Sequence, residues 1–179
     1  MTAESAAFRH IEVQPIAGAI GAEVRGIDAS KPLGEEVVAE IRRAFLAHLV
    51  IFLPDQRLSP PALVAFAARF GEPMEYPQLK GLAECPLVTP VVKLEHERSN
   101  FGGVWHTDTS YLERPPMASM LYAVELPPYG GDTLFASQHA AYAALSEGMQ
   151  AARAGLKGIS SSPKAEGTPS PADPLRAAG

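Results

Sequence analysis

A chain of 179 residues with 46% hydrophobic content is long enough to bury one sizeable core and too short for several domains. A net charge of −5 with no basic stripe excludes a nucleic-acid footprint. The single cysteine, Cys85, excludes an internal disulfide framework; it precedes Pro86 with no basic cluster beside it, so it reads as structural rather than nucleophilic, in keeping with a reducing compartment.

The N-terminus lacks a basic region followed by a long apolar core, and no apolar run is long enough to span a bilayer. The expectation is a cytoplasmic protein with neither membrane nor nucleic acid as partner. Between residues 10 and 27, short apolar stretches (Ile11, Val13, Ile16, Ile20, Ala22 to Val24) are punctuated by Gly18, Gly21 and Gly26. This reads as strand, turn, strand. Glu35 to His48 is the first clear helix, with Val38, Ile41 and Phe45 on one face and two acids in the first turn, where the helix dipole favours them. His48 at its end reads as a helix-terminal histidine, not a ligand. Leu49 to Leu53 is an apolar run ending at Pro54, expected as a buried strand. Ser59-Pro60 then signals a helix N-terminus, with Leu63, Phe66, Ala67 and Phe70 facing inward and Gly71 as the stop.

Residues 72–103 are proline-rich and irregular, with one apolar stretch, Leu87 to Leu94, expected as a strand. His96 and Arg98 read as a solvated turn. Ala118 to Leu126 reads as a strand, Pro127 to Asp132 as a tight turn, and Thr133 to Ala136 as the returning strand. Ser137 caps a helix expected from about Gln138 to Ala154, with Ala140, Ala144, Leu145 and Met149 for its apolar side and Gly155 at its end. From Ser160 the sequence turns to serine, proline and small residues, too poor in apolar side chains to offset the entropy of ordering. Residues 160–179 are expected to form a disordered tail on a domain of residues 1–159.

The chemistry concentrates in Val104-Trp105-His106-Thr107-Asp108-Thr109. On a strand, alternate side chains share a face, so His106 and Asp108 project side by side. An imidazole and a carboxylate so placed are two of the three ligands of a 2-His-1-carboxylate iron site. A lone H-x-D is a weak signal, and its surroundings must carry the assignment. Asn100-Phe101-Gly102-Gly103 leads into it, Pro115-Pro116 and Glu125-Leu126-Pro127-Pro128 follow, and Gly130-Gly131-Asp132-Thr133-Leu134 closes the stretch.

Together these blocks resemble the taurine/2,4-D dioxygenase family, from about Ile11 to about Leu156. The resemblance implies an α+β protein with a double-stranded β-helix core, jelly-roll and cupin-like, flanked by helices and incomplete in this chain. It implies Fe(II), 2-oxoglutarate and O2 as cofactor and co-substrates, and hydroxylation of a small organic molecule (a sulfonate, a sulfate or an aryloxy acid) with release of succinate and CO2. His106 and Asp108 match the first two iron ligands. Thr133 matches the threonine that contacts 2-oxoglutarate. Tyr76 and Asn100 fall where the family places substrate contacts. Taurine-specific members carry a histidine and a tyrosine in the region of Tyr76 and Leu79, and that departure argues against taurine itself. Trp105 and Phe135 read as core packing.

The family's distal histidine and its 2-oxoglutarate-binding arginine have no counterpart here. His139 sits in the first turn of a helix rather than on a late strand, and Arg153 and Arg176 lie in no matching motif. The alternative is therefore a truncated, catalytically inactive remnant of such an enzyme. A half-barrel would leave an open apolar face and favour association into a homo-oligomer. A cupin-like metal-binding or isomerase-type protein would need further histidines near His106, which the sequence lacks.

Overall fold

The computed structural model describes residues 7–77, 79–98 and 102–160. The chain divides into two compact units, Met1–Phe70 with Tyr122–Leu156, and Gly71–Leu121 with Lys157–Gly179.

The first unit opens as the glycine spacing predicts. Strand β1 (Glu12–Pro15) pairs antiparallel with β2 (Ala22–Arg25), Val13 opposite Val24. Gly21 turns the chain between them with φ of 99°, a conformation open to glycine without strain. Helix α1 (Glu35–His48) carries the chain over to β3 (Ile51–Phe52), which pairs parallel with β2. Parallel pairing requires such a crossover. The buried strand expected over Leu49 to Leu53 is only these two residues, and Phe52 stays partly exposed at the sheet edge.

The apolar stripe of α1 faces the core: Val38, Ile41 and Ala44 are buried, and Phe45 is half-buried. Ile11, Val24, Ala29, Ile41, Ala44 and Phe66 form the centre of that core. Helix α2 (Pro60–Ala67) contributes Phe66, packed edge-on against Phe70 at 5.2 Å between ring centroids. Ser59 caps it by accepting the Ala62 N–H, and Pro60 occupies the first turn. The helix ends at Ala67, short of the expected stop at Gly71.

One polar group lies inside this core. The Glu40 carboxylate accepts the backbone N–H groups of Arg9 and His10 and pairs with Arg43 at 3.7 Å. Arg43 also lies over the Phe8 ring. The segment preceding β1 is thus strapped to α1.

The single helix expected over Gln138 to Ala154 is two: α3 (Gln138–Ala143) and α4 (Glu147–Ala154). The break is chemical. Ser146 accepts the Met149 N–H and starts α4, while Gln150 Nε2 donates to the carbonyls of Tyr142, Ala143 and Leu145, around the end of α3. Gly155 caps α4 as expected. Ala140, Ala144 and Met149, the expected apolar side, are exposed, and Leu145 is half-buried.

The strands expected over Leu87 to Leu94, Val104 to Thr109, Ala118 to Leu126 and Thr133 to Ala136 do not form. A strand persists only when its backbone groups find a ladder partner. Among the described residues the sheet has three strands, all before residue 53, and none pairs with these segments. Most of their large apolar side chains are exposed, Val124 at 89%. The second unit contains no helix or strand among its described residues; its regular pairing is one bridge, Leu82 to Cys85. No helix among the described residues is long and apolar enough to cross a membrane.

Candidate functional site

In the second unit the chain around His106 is irregular, yet it brings the two candidate ligands together. His106 Nε2 lies 3.1 Å from Asp108 Oδ1. The strand expected to place them on one face is replaced by local hydrogen bonds. His106 Nδ1 is 2.7 Å from the Val104 carbonyl oxygen. A carbonyl only accepts, so Nδ1 carries the proton, and in the neutral ring Nε2 presents a lone pair. That lone pair faces a carboxylate oxygen. Two acceptors at this distance require something positive between them, a proton or a metal ion.

The metal reading fits the geometry. Two donors each about 2.1 Å from a six-coordinate metal, at right angles to one another, lie roughly 3.0 Å apart. A metal-binding histidine characteristically donates its other ring N–H to a backbone carbonyl or a carboxylate, which fixes the tautomer. Both side chains are about half exposed, so an ion has access.

The backbone is adapted to this arrangement. Gly102 has φ of 69°, and a Cβ there would meet the imidazole Cε1 at 3.1 Å. Thr109 also has positive φ, 48°, is buried, and has a hydroxyl with no hydrogen-bond partner. A β-branched residue there is uncommon.

The second carboxylate oxygen is engaged. Ser119 Oγ donates to Asp108 Oδ2 at 2.6 Å. Tyr76 is half-buried, and its phenol is pushed above its usual range by burial first, then by the charges of Asp108 and Tyr111. It therefore remains a protonated hydrogen-bond donor near the carboxylate. Ser119 lies outside the motif blocks, whereas Tyr111 closes the block that begins at Asn100. A serine within the apolar run Met117 to Leu126 was the one hint of the former.

Thr133 lies in the first unit, exposed, directly after the turn in which Gly130 and Gly131 have φ of 75° and 72°. Asn100 lies outside the described residues. His139 is exposed on α3. Trp105 is not core: it is 70% exposed, because the segment carrying it has no partner to pack on. Phe135 is partly exposed and meets Phe52 edge-on at 6.5 Å. Among the described residues no group of three or more metal-ligating side chains occurs, so the pair supplies two donors and not a complete set.

Comparison with known proteins gives a consistent picture. The family described as "Taurine catabolism dioxygenase TauD, TfdA family" matches residues 12–176. An alpha-ketoglutarate-dependent sulfate ester dioxygenase from Pseudomonas putida is 36% identical over 141 residues, which is 78% of this chain and 46% of that protein. An alpha-ketoglutarate-dependent 2,4-dichlorophenoxyacetate dioxygenase from Cupriavidus pinatubonensis is 32% identical over 164 residues, 82% of this chain and 57% of that protein. A crystal structure of a taurine dioxygenase from Burkholderia xenovorans superposes with a TM-score of 0.71 at 36% identity, covering 82% of this chain and 52% of that one. The chain spans about half the length of the curated relatives it matches.

Proposed function

Because the chain belongs to the taurine catabolism dioxygenase TauD, TfdA family, we propose that its protein is an Fe(II)- and 2-oxoglutarate-dependent dioxygenase that hydroxylates a small organic substrate and releases succinate and CO2. The observation that carries this reading is the approach of His106 Nε2 to Asp108 Oδ1, at the spacing of two adjacent ligands, with the imidazole tautomer set by Val104. The names of the relatives point to sulfate esters and aryloxy acids as the substrate class. The proposed fold of the whole is a double-stranded β-helix with flanking helices, residues 1–159 forming its N-terminal part; the tail expected over 160–179 lies, beyond Ser160, outside the described residues.

When bound, Fe(II) with 2-oxoglutarate supplies the oxidative decarboxylation that drives oxidation of a substrate C–H bond. The residues of this chain bind and orient. His106 and Asp108 would hold the metal, and the coordination positions they do not take would serve the co-substrates. Thr133 is proposed, from the Gly130-Gly131-Asp132-Thr133-Leu134 block in which it stands, to offer its hydroxyl to a carboxylate of 2-oxoglutarate. Tyr76, kept protonated, presents a donor to an anionic substrate beside Asp108. Asn100 is proposed as a second substrate contact.

One observation favours a second reading. Among the described residues no third metal-ligating side chain stands beside the pair; in this reading the chain by itself does not turn over. Anaerobic titration with Fe(II) and 2-oxoglutarate, following the visible charge-transfer band of the chelate, separates the two. A band saturating at one iron per chain supports a complete site. No band here, with a band in a longer polypeptide, supports the second reading. No band in either overturns the assignment of the site.

A further inference from the structure

We propose that Ser119 is the positioning residue that decides which oxygen of Asp108 faces the metal, an inference that rests on reading His106 and Asp108 as ligands. A carboxylate has two equivalent oxygens and a soft terminal torsion, so left free it can bind through one or chelate through both. Here the two oxygens have separate tasks. Oδ1 faces His106 Nε2 at 3.1 Å, and Oδ2 accepts the Ser119 hydroxyl at 2.6 Å. The second contact is short, as expected for a hydroxyl donating to an anion. An oxygen so engaged is a poorer metal donor and resists rotation of the group.

The consequence is binding through Oδ1 alone. One coordination position that chelation would occupy stays open for co-substrate. Discrimination follows as well. Calcium readily takes both oxygens of a carboxylate in its large, flexible sphere, whereas a smaller six-coordinate ion is served by one. Ser119 therefore tilts the site toward a transition metal.

The fold delivers Ser119 by a turn that starts at the ligand itself. Thr109 enters the left-handed region immediately after Asp108, and its carbonyl accepts the Leu112 N–H at 3.0 Å. The chain passes Pro115-Pro116 and returns Ser119 to the carboxylate, eleven residues on. Ser119 is exposed, so its removal opens no core cavity.

Co(II) is the probe, titrated into the wild type, Ser119→Ala, Ser119→Thr and His106→Ala and followed by its visible ligand-field band, with Ca(II) competition and a thermal melt of each metal-free protein. Removing a group that orients a ligand typically weakens metal binding about tenfold or more. Ser119→Ala is expected to do so, to alter the band, and to lose preference over Ca(II). Ser119→Thr restores all three, and the metal-free melts coincide. A Ser119→Ala protein with wild-type affinity and band overturns the role of Ser119 while leaving the ligands intact. A lowered metal-free melt assigns Ser119 a structural role instead and equally overturns the proposal. No band in either the wild type or a longer polypeptide, or an unchanged band in His106→Ala, overturns the ligand assignment and this inference with it.

Discussion

The carboxylate of Glu40 accepts the backbone N–H of His10 at 2.9 Å, across thirty residues of sequence. Burial opposes ionisation of Glu40, but the N–H groups of Arg9 and His10, with the charges of His10 and Arg43, outweigh it and hold the carboxyl below its usual 4.5. A group lowered in the folded state contributes stability above its unfolded value and loses it as pH falls through the folded one. The melting temperature is expected to fall as pH drops below about 4.5, and Glu40→Gln should flatten that dependence while lowering the melt by several degrees at neutral pH. Asp28, held at about 2 chiefly by its hydrogen bonds to Lys31 and Ser30, adds a loss of its own as pH falls below its usual 3.8, so the Glu40→Gln protein should keep that lower-pH part of the dependence. Parallel acid titrations of the melt for both proteins check this.

Gln56 ties the loop after β3 to the loop after β2. Its Oε1 accepts the Ala29 N–H at 2.8 Å, and its Nε2 donates to the carbonyls of Pro54 at 2.9 Å and Ile27 at 3.3 Å. Gln56→Ala leaves these backbone groups without their partner and is expected to cost about 2 kcal/mol. Gln56→Glu keeps the acceptor, loses both donors, and should fall between. Urea denaturation at pH 7 gives the order.

Ile41 is 1% exposed at the centre of the core, between α1 and the sheet. Ile41→Ala removes buried methyl groups and leaves a cavity, at an expected cost of about 2–5 kcal/mol. Leu46, exposed on the opposite face of the same helix, provides the contrast. Leu46→Ala should change the denaturation midpoint little.

At the site, His106→Ala and Asp108→Ala are each expected to abolish Fe(II)-dependent decarboxylation of 2-oxoglutarate in the active protein. Unchanged turnover in either would show that the metal is held elsewhere.

Gly102→Ala tests the backbone rather than a ligand. The new Cβ would lie 3.1 Å from the imidazole, at a φ that alanine disfavours. The ring must move, and metal affinity should fall about tenfold, as for other changes around metal ligands. Isothermal titration with Co(II) reads the affinity, and a melt reads the stability of the fold.

Much of the first unit was legible because its signals are local. The glycine spacing located β1 and β2, the 3.6-residue stripe and acidic first turn located α1, and Ser59-Pro60 located the start of α2. The break between α3 and α4 was not legible. It depends on Gln150 reaching back to three carbonyls, a contact that no periodicity announces. The later strands were over-read for a related reason. Alternating apolar residues mark a segment that can join a sheet, but joining requires a neighbour.

The sequence by itself determined the chemistry at the site. The order of His106 and Asp108, the glycines before them and the Gly130–Leu134 block are covalent facts, and they identify the family. Only the tertiary structure decided how the pair is held. Val104 selects the imidazole tautomer, Ser119 takes one carboxylate oxygen, and Thr109 turns the chain that brings Ser119 back. Hydrogen bonds depend on distance and direction in space, and residues eleven apart meet only when the intervening backbone turns. Spacing along the chain records which groups are available, and the fold determines which of their atoms face each other.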